Sequence, residues 1–363
     1  MKKLATGLLA LMFVLATSAF ATIRYVSTTG AGGYTTIDAA LVAAVSGDTI
    51  LIGPGSYSQS NQVNQNGKRY TVIGAGWDQT LITLTNDWYL NNANRCSFEG
   101  FYCNTNSRFD VFNTVDSTTF RRCRMNSTIT SQSTINWTSG RSLTIEDCIF
   151  TAALTTTGTG QIAVPNTNYP TTIRNCVFAN TGTSGSMKAL YGYATSGTVE
   201  IYNCNFLNFQ APLILSAAGG PVIGINNIFH DFMASPSIGT YNAVSVWDYN
   251  AATTITPPGT NALLLAGDPF VLYDETLNYQ HGTSDLHLDP TNGAACINSG
   301  HPSLLDFTDG TQSDRGVYGG PKPLVDNGIP NYPWAVNILL NPNLVGVGTP
   351  VNATATGRVG PQY

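Results

Sequence analysis

A seven-residue unit recurs along the middle of the chain, and it restricts the possible folds more than any other feature. The unit is clearest at 172–178 (TIRNCVF), with copies at 143–150 (LTIEDCIF) and 200–206 (EIYNCNF). Equivalent positions recur every 22 to 28 residues, at Phe101, Cys123, Cys148, Cys176, Cys204, Asn227 and Asn250. A unit with this period predicts a solenoid, in which each repeat forms one coil and packs on its neighbours.

Alternation within the unit predicts which side chains face the core. At 172–178, Ile173, Cys176 and Phe178 are expected inside, with Arg174 and Val177 outside. The residue before each cysteine is expected at a sharp corner, where Asn, Asp and Gly tolerate the left-handed backbone. The corner residues are Gly100, Arg122, Asp147, Asn175, Asn203 and Asn226, of which Arg122 breaks the pattern. Stacked Asn side chains along this corner predict an asparagine ladder.

A third strand is predicted in each coil, upstream of the repeated unit. These strands are built on Val111, Ile135, Ile162, Leu190 and Leu213. Loops rich in Thr, Ser and Gly, among them 151–160 and 180–187, are expected to border the outer face of their sheet. Three short parallel strands per coil predict an all-β parallel β-helix.

The first 21 residues have the pattern of a signal peptide. Lys2 and Lys3 precede an apolar stretch at 4–15, and 19–21 (AFA) predicts cleavage near Ala21. Secretion to the extracellular space, cell surface or periplasm is therefore expected, with no transmembrane segment in the mature chain. Without the two lysines, 14 basic residues face 21 acidic ones, a net charge of −7. This balance disfavours nucleic acid as a partner.

The remaining chain divides into three predicted parts. Residues 22–94 are expected to form an N-terminal cap and the first coils, with a short helix that carries Ile37, Ala40 and Leu41 at helical spacing. Residues 95–320 are expected to form the parallel β-helix with its terminal coil. Residues 321–363 are interpreted as a linker followed by a small C-terminal β appendage.

The capping helix, the GDTI run at 47–50 and the PGSY run at 54–57 resemble the N-terminal cap of secreted right-handed parallel β-helix proteins of the pectin-lyase-like superfamily. The resemblance implies a right-handed coil. In lyases of this fold, it also implies calcium held by clustered Asp residues, with a Lys or Arg as base. On the loop-bordered sheet, Asp110 is the one carboxylate among the outward-facing residues that flank the predicted core positions. Lys188 lies about three strands away from it.

Few residues qualify as site candidates. Lys188 and Asp110 are the catalytic candidates, and Tyr191, Tyr193, Tyr169 and Lys188 are predicted to bind a ligand on the loop-bordered sheet. Asp306, Asp309 and Asp314 form an oxygen-rich stretch that predicts a calcium site or, alternatively, a turn closing the last coil. Arg121, Glu146 and Arg174 stand on consecutive coils and are interpreted as a charge ladder.

The seven cysteines favour packing over a disulfide framework, because their number is odd and four of them share one repeat position. The leading hypothesis is a non-catalytic, secreted or cell-surface β-helix protein. It would bind a polysaccharide or a cell-surface glycan, or act as an adhesive or structural element. One alternative is a polysaccharide-active enzyme, a lyase or a glycoside hydrolase, with an atypical site near Lys188, Tyr191 and Asp110. The other is a self-associating subunit that pairs through its C-terminal tail.

Overall fold

A computed structural model shows the predicted right-handed parallel β-helix. It describes residues 21–59, 63–64, 67–91, 95–105, 107–112, 116–127, 135–137, 141–153, 160–164, 168–192, 197–329, 333–341, 350 and 352–359. Three parallel sheets of 11, 10 and 8 strands surround one apolar interior. None of the helices in this part of the chain has the length and apolarity that crossing a membrane would require.

The first sheet contains the strand that ends at the predicted corner of each coil. Its strands are β1 (Ile23–Val26), β2 (Gly33–Tyr34), β3 (Thr49–Ile52), β6 (Tyr70–Ile73), β9 (Cys96–Glu99), β12 (Thr118–Arg121), β15 (Leu143–Glu146), β18 (Thr171–Arg174), β21 (Val199–Tyr202), β24 (Val222–Ile225) and β27 (Val246–Asp248).

The second sheet contains the strand that follows the corner. Its strands are β4 (Gly55–Gln59), β7 (Thr80–Leu84), β10 (Tyr102–Thr105), β13 (Arg124–Ser127), β16 (Ile149–Ala152), β19 (Val177–Asn180), β22 (Asn205–Leu207), β25 (Ile228–His230), β28 (Ala251–Thr253) and β29 (Leu263–Leu265).

The third sheet contains the predicted upstream strands. They are β5 (Val63–Asn64), β8 (Trp88–Asn91), β11 (Phe109–Phe112), β14 (Ile135–Trp137), β17 (Gly160–Ala163), β20 (Lys188–Tyr191), β23 (Leu213–Ile214) and β26 (Gly239–Thr240). The coil order is therefore third sheet, first sheet, corner and second sheet.

The predicted capping helix, α1 (Ile37–Ala43), covers the first coils. Thr36 caps it, because the Thr36 hydroxyl accepts a hydrogen bond from the Ala39 amide at 3.2 Å. Its buried residues are Ile37, Ala40 and Leu41, and they join the interior of the coil. The helix therefore shields the apolar end of the solenoid.

The interior is stacked in register, as the repeat predicts. Phe150, Phe178, Phe206 and Phe229 form a column with ring centroids 4.9 to 5.2 Å apart, close to the spacing of neighbouring strands. All seven cysteines are buried and unbridged. This confirms the interpretation that they act as packing residues.

The predicted corners are confirmed, but the predicted asparagine ladder is not at the corner. Asn175, Asn203 and Asn226 have φ of 49° to 60°, yet their amides point outward to a later segment of the chain. The asparagine ladder lies inside, at the next position, where Asn227 Nδ2 donates to Asn250 Oδ1 at 3.0 Å. Asn227 and Asn250 occupy the position that cysteines hold in earlier coils. A buried amide at this position can form hydrogen bonds with its neighbours in adjacent coils.

The later segment is residues 266–329, called here the C-terminal strap. It contains β30 (Phe270–Leu272), β31 (Asp285–Leu288) and a 3₁₀ turn at Ala294–Cys296. The sequence predicted that this segment would end the last coil. It also runs back along the outside of the solenoid. Arg315 bonds the Asn250 carbonyl at the last coils, and Gly328 packs against Trp77 at the first.

The strap covers the outer face of the second sheet. Val177, expected outside, is fully buried there in a second apolar cluster with Ile149, Leu286 and Leu324. The stretch 321–329, interpreted as a linker, packs on the coil through Leu324 and Ile329. The expected β appendage is a separate antiparallel hairpin of β32 (Pro333–Asn341) and β33 (Asn352–Val359).

Candidate functional site

Two clefts lie where the strap crosses the outer edge of the first sheet, and together they are called the strap groove. The upper cleft has a volume of about 280 Å³ and the lower cleft about 210 Å³. Pro321 and Lys322 of the strap line both clefts, so the two meet at this point. The groove therefore follows the last residue of several consecutive strands.

Strand register produces the row of side chains along the groove. Arg121, Glu146, Arg174 and Tyr202 are direct neighbours on consecutive strands of the first sheet. Because each is the final residue of its strand, all of them stand beside the corner that the strap follows. The predicted charge ladder is thus present. Arg121 lines the lower cleft and Arg174 the upper cleft, and Glu146 is paired in register with both, on the strand between them.

The upper cleft combines an aromatic ring with polar and cationic groups. The Arg174 guanidinium lies 5.2 Å from the centre of the Tyr202 ring and 3.8 Å from a Glu200 oxygen. His301 and Ser303 of the strap line the opposite wall, and His301 Nδ1 lies 2.7 Å from Ser303 Oγ. A ligand in this cleft would meet a flat ring bordered by hydrogen-bonding groups.

The lower cleft contains a buried acid and an exposed aromatic ring. Its lining includes Arg121, Arg122, Asp147 and Phe307. Phe307 is 64% exposed, whereas Asp147 is only 6% exposed. The Arg122 side chain pairs with Glu99. The cleft therefore has an apolar surface at its mouth and an acid at its base.

Two adjacent carboxyls have pKa values shifted in opposite directions. Burial would raise the pKa of Glu146, but Arg121 Nη2 at 2.8 Å and Lys322 Nζ at 3.1 Å outweigh it and hold the pKa below its usual range. Burial raises the pKa of Asp147 well above its usual range, and the nearby Arg122 does not compensate. Two carboxyls that are adjacent in the chain therefore have pKa values shifted apart by their surroundings, and of the two only Asp147 lines a cleft of the groove.

The catalytic candidates on the third sheet are held apart. Asp110 on β11 is buried, pairs with Arg108 at 3.2 Å and accepts from Asn136 Nδ2 at 2.8 Å. Lys188 on β20 donates to the Gly185 carbonyl, and burial lowers its pKa. Their strands are three positions apart, or about 14 Å at the usual strand spacing.

The aromatic candidates have different positions. Tyr191 ends β20 and is half-buried on the third sheet. Tyr169 lies between β17 and β18, is 46% exposed, and has the Arg141 guanidinium 5.8 Å from its ring centre. Tyr193 falls outside the described residues. Ligand binding at these tyrosines and at Lys188 stays a prediction.

The three aspartates of the predicted calcium stretch bond the backbone. Asp306 Oδ2 accepts from the Asp314 amide, Asp309 Oδ1 from the Thr311 amide, and Asp314 Oδ1 from the Asn298 amide. Within the part of the chain that the structure describes, no group of three His, Cys, Asp or Glu residues is arranged to hold a metal ion. The stretch has the hydrogen bonding of a turn, and calcium here stays a prediction.

The strap groove was missed because half of it comes from residues more than 100 positions later in the chain. The repeat showed Arg121, Glu146 and Arg174 as an outward row. It did not show that Lys322 would lie against that row. The sequence did contain one signal of a covering segment. Three asparagines stand at one corner in the left-handed conformation, Asn175, Asn203 and Asn226, and their outward amides need hydrogen-bond acceptors.

The comparisons with known proteins are limited to fold. No protein-family model and no curated protein matches the chain. Solved structures that it resembles include pectate lyase Pel9A, with 14% identity over 82% of this chain and 96% of that one, at a TM-score of 0.44. Another is a pectin methylesterase from Aspergillus niger, with 11% identity over 64% and 92% and a TM-score of 0.36.

The fold assignment rests on the strand order and the cap. Three parallel sheets, stacked one strand per coil, and a helix over the first coil are the features that the sequence resemblance implied. That resemblance is confirmed as one of fold. The chain is a right-handed parallel β-helix, closed along one corner by its own C-terminal strap.

Proposed function

We propose that this protein is an extracellular β-helix protein that binds a glycan in the strap groove without cleaving it. The observation that carries the proposal is the upper cleft, where the half-buried Tyr202 ring lies beside Arg174, Lys322 and the polar side chains of the strap. A sugar ring presents a C–H face that packs on an aromatic ring, and hydroxyls that need hydrogen-bonding partners. A cleft with an apolar surface and a few fixed polar groups suits such a ligand.

The shape of the groove suits an extended ligand. Consecutive positions along it are about 4.8 Å apart, because they belong to neighbouring parallel strands. Four such steps lead from Arg121 to Ile225. A linear saccharide lying across the strands would therefore contact a new residue at every step, and both clefts would be used by one chain.

Binding to a panel of immobilised neutral and acidic oligosaccharides tests the proposal, followed by calorimetry with the best ligand. Tyr202→Ala should weaken binding at least tenfold, since the aromatic face is lost. Tyr191→Ala is the matched control on the third sheet and should bind normally. Loss of binding in Tyr191→Ala alone would move the site to the third sheet, and absence of any binding would contradict the proposal.

A polysaccharide-active enzyme is the second candidate, favoured by two carboxyls that are adjacent in the chain, of which Asp147 lines the lower cleft. Glu146 with a lowered pKa and Asp147 with a raised one resemble the base and acid that glycan cleavage requires. Incubating the bound glycan with the protein and measuring new reducing ends or unsaturated ends separates the two. Product formation that is lost in Glu146→Gln would establish the enzyme.

A further inference from the structure

The charge ladder leaves one of its cations without an acid of its own. Glu146 stands between Arg121 and Arg174 in strand register. Its carboxylate accepts two hydrogen bonds from Arg121 and has the Lys322 ammonium of the strap at 3.1 Å. Alternation of sign would place another acid after Arg174, but Tyr202 occupies that position. These four positions and the strap therefore supply three cations and one carboxylate.

The Arg174 guanidinium keeps donors that a ligand can use. Across the described ranges of the chain, its side chain forms no hydrogen bond. A Glu200 oxygen lies 3.8 Å from Arg174 Nη2, which is beyond hydrogen-bonding distance, and the same oxygen accepts from Thr172 Oγ1 at 3.2 Å. Arg174 Nε is enclosed, but the side chain is 39% exposed, so the accessible donors are the two Nη groups.

The strap places a second donor in the upper cleft. His301 Nδ1 accepts a hydrogen bond from the Ser303 amide at 3.2 Å. An amide N–H can only donate, so the neutral imidazole carries its hydrogen on Nε2. The Tyr249 ring packs edge to face against the imidazole, with the centroids 5.3 Å apart, and holds its orientation. His301 therefore offers an N–H donor from the strap, while Arg174 offers donors from the first sheet.

The upper cleft is locally cationic in a chain whose net charge is −5. Arg174 and Lys322 line it, and no Asp or Glu is among the residues that the structure describes there. Because the molecule as a whole is acidic, a long polyanion would be repelled outside the cleft. A single anionic group on an otherwise neutral ligand avoids that repulsion. The charge distribution thus favours one charged substituent over a charged polymer.

The arrangement of donors suits a tetrahedral anion. A planar carboxylate offers its two oxygens in one direction, and a single guanidinium fork satisfies it. A sulfate or phosphate ester has three terminal oxygens that point in three directions, so it can accept from donors on separate elements. Arg174 on the sheet, and His301 and Lys322 on the strap, are such donors. The cleft therefore fits an ester better than a uronate.

We propose that the upper cleft is a subsite for a tetrahedral anionic ester on a glycan, a sulfate or a phosphate. The terminal oxygens of the ester accept from Arg174 Nη and His301 Nε2, while Lys322 adds positive charge. This inference rests on the proposed function, because it names the ligand class of the same groove. Sulfate and phosphate share this chemistry, and separate arms of the experiment distinguish them.

The first experiment measures binding to the wild-type protein by calorimetry. The glycan backbone that ranks first in the oligosaccharide panel is used as a hexasaccharide in neutral form and with one uronate, one sulfate or one phosphate. At least one ester should bind about tenfold more tightly than the neutral and uronate forms, because it gains charge-assisted hydrogen bonds. The advantage should shrink as salt is raised. A neutral or uronate form that binds as tightly as both esters would overturn the subsite alone, whereas no binding of any form would overturn the proposed function as well.

The second experiment assigns the donors. Arg174→Gln should weaken binding of the preferred ester about tenfold more than binding of the neutral form, and His301→Ala should show the same pattern with a smaller loss. Arg95→Gln is the matched control and should behave as wild type, because Arg95 is an exposed arginine that precedes a strand of the same sheet and lies 3.4 Å from Asp116. Circular dichroism checks that each variant is folded. Ester binding that is unchanged in Arg174→Gln, or a loss that is equal for the neutral form, would overturn the subsite.

Discussion

Lys322 Nζ lies 3.1 Å from Glu146 Oε1, and the pair joins residues 176 positions apart in the chain. Glu146 also receives Arg121 from the neighbouring strand at 2.8 Å. The Glu146 carboxylate therefore pairs with Arg121 of the charge ladder and with Lys322 of the strap. The contact joins the two parts of the chain that form the strap groove.

Removing the two partners of this pair should have unequal effects. Lys322 is half-exposed, so Lys322→Met should lower the free energy of unfolding by less than about 1 kcal/mol. Glu146 is buried, and Glu146→Gln leaves two cations around an uncharged amide, which should cost about 1–3 kcal/mol. Urea unfolding at pH 7 measures both. Equal losses would show that the strap cation, and not the shared carboxylate, is the main anchor.

The corner amides should be essential as donors. Asn203→Asp keeps the shape and the left-handed backbone but turns a carboxylate towards the Asp314 and Gly316 carbonyls. A loss of about 1–3 kcal/mol is expected at pH 7, with faster proteolysis of the strap. Asn298→Asp is the control, because Asn298 is exposed, has φ of 51° and uses its oxygen as an acceptor. Similar losses in both variants would argue against the amide bonds.

The buried His230 should give two variants with opposite pH dependence. Its Nε2 lies 3.4 Å from both Asp268 Oδ1 and Glu275 Oε1 under the strap. Burial lowers the His230 pKa to about 4, and burial, with Glu275 and Asp231 nearby, raises the Asp268 pKa to about 6. The His230 contribution to stability is lost as pH falls from about 6.5 to 4. The Asp268 contribution is lost as pH rises from about 4 to 6.

In the wild type these two contributions oppose each other, so stability should change little between pH 4 and 6 from this pair. Asp268→Asn leaves the histidine alone and should lose stability on acidification. His230→Gln leaves the carboxyl alone and should lose stability as pH rises through about 6. Thermal unfolding at several pH values measures the slopes, and slopes of the same sign in both variants would contradict the assignment.

The cysteines should be unreactive in the folded protein. All are buried and form no disulfide, and burial raises the pKa of Cys96 and Cys296 to about 12. Because the thiolate is the reactive form, iodoacetamide at pH 8 should label the native protein at well under one thiol per chain. Seven thiols should react after denaturation. Mass spectrometry counts the labels, and a stable native disulfide would disprove the packing role.

The sequence was sufficient for the coil because the coil is built from local, repeated chemistry. The apolar residues of the unit alternate at the period of a strand, and Asn, Asp or Gly at one corner permits the left-handed backbone. Those two regularities determined the three sheets, the stacked Phe178 column and the buried Cys176 column. Each depends on contacts between adjacent coils, which a repeat specifies by itself.

Only the tertiary structure decided where the strap lies and what it creates. The sequence shows Asn203 at a corner and Val177 on an outer face, but not that the strap bonds one and covers the other. The strap carries no repeat, and its contacts join positions more than 100 residues apart, so no local period encodes them. The groove between Arg121, Asp147 and Lys322 exists because the chain doubles back on itself, and it became visible only once the fold was known.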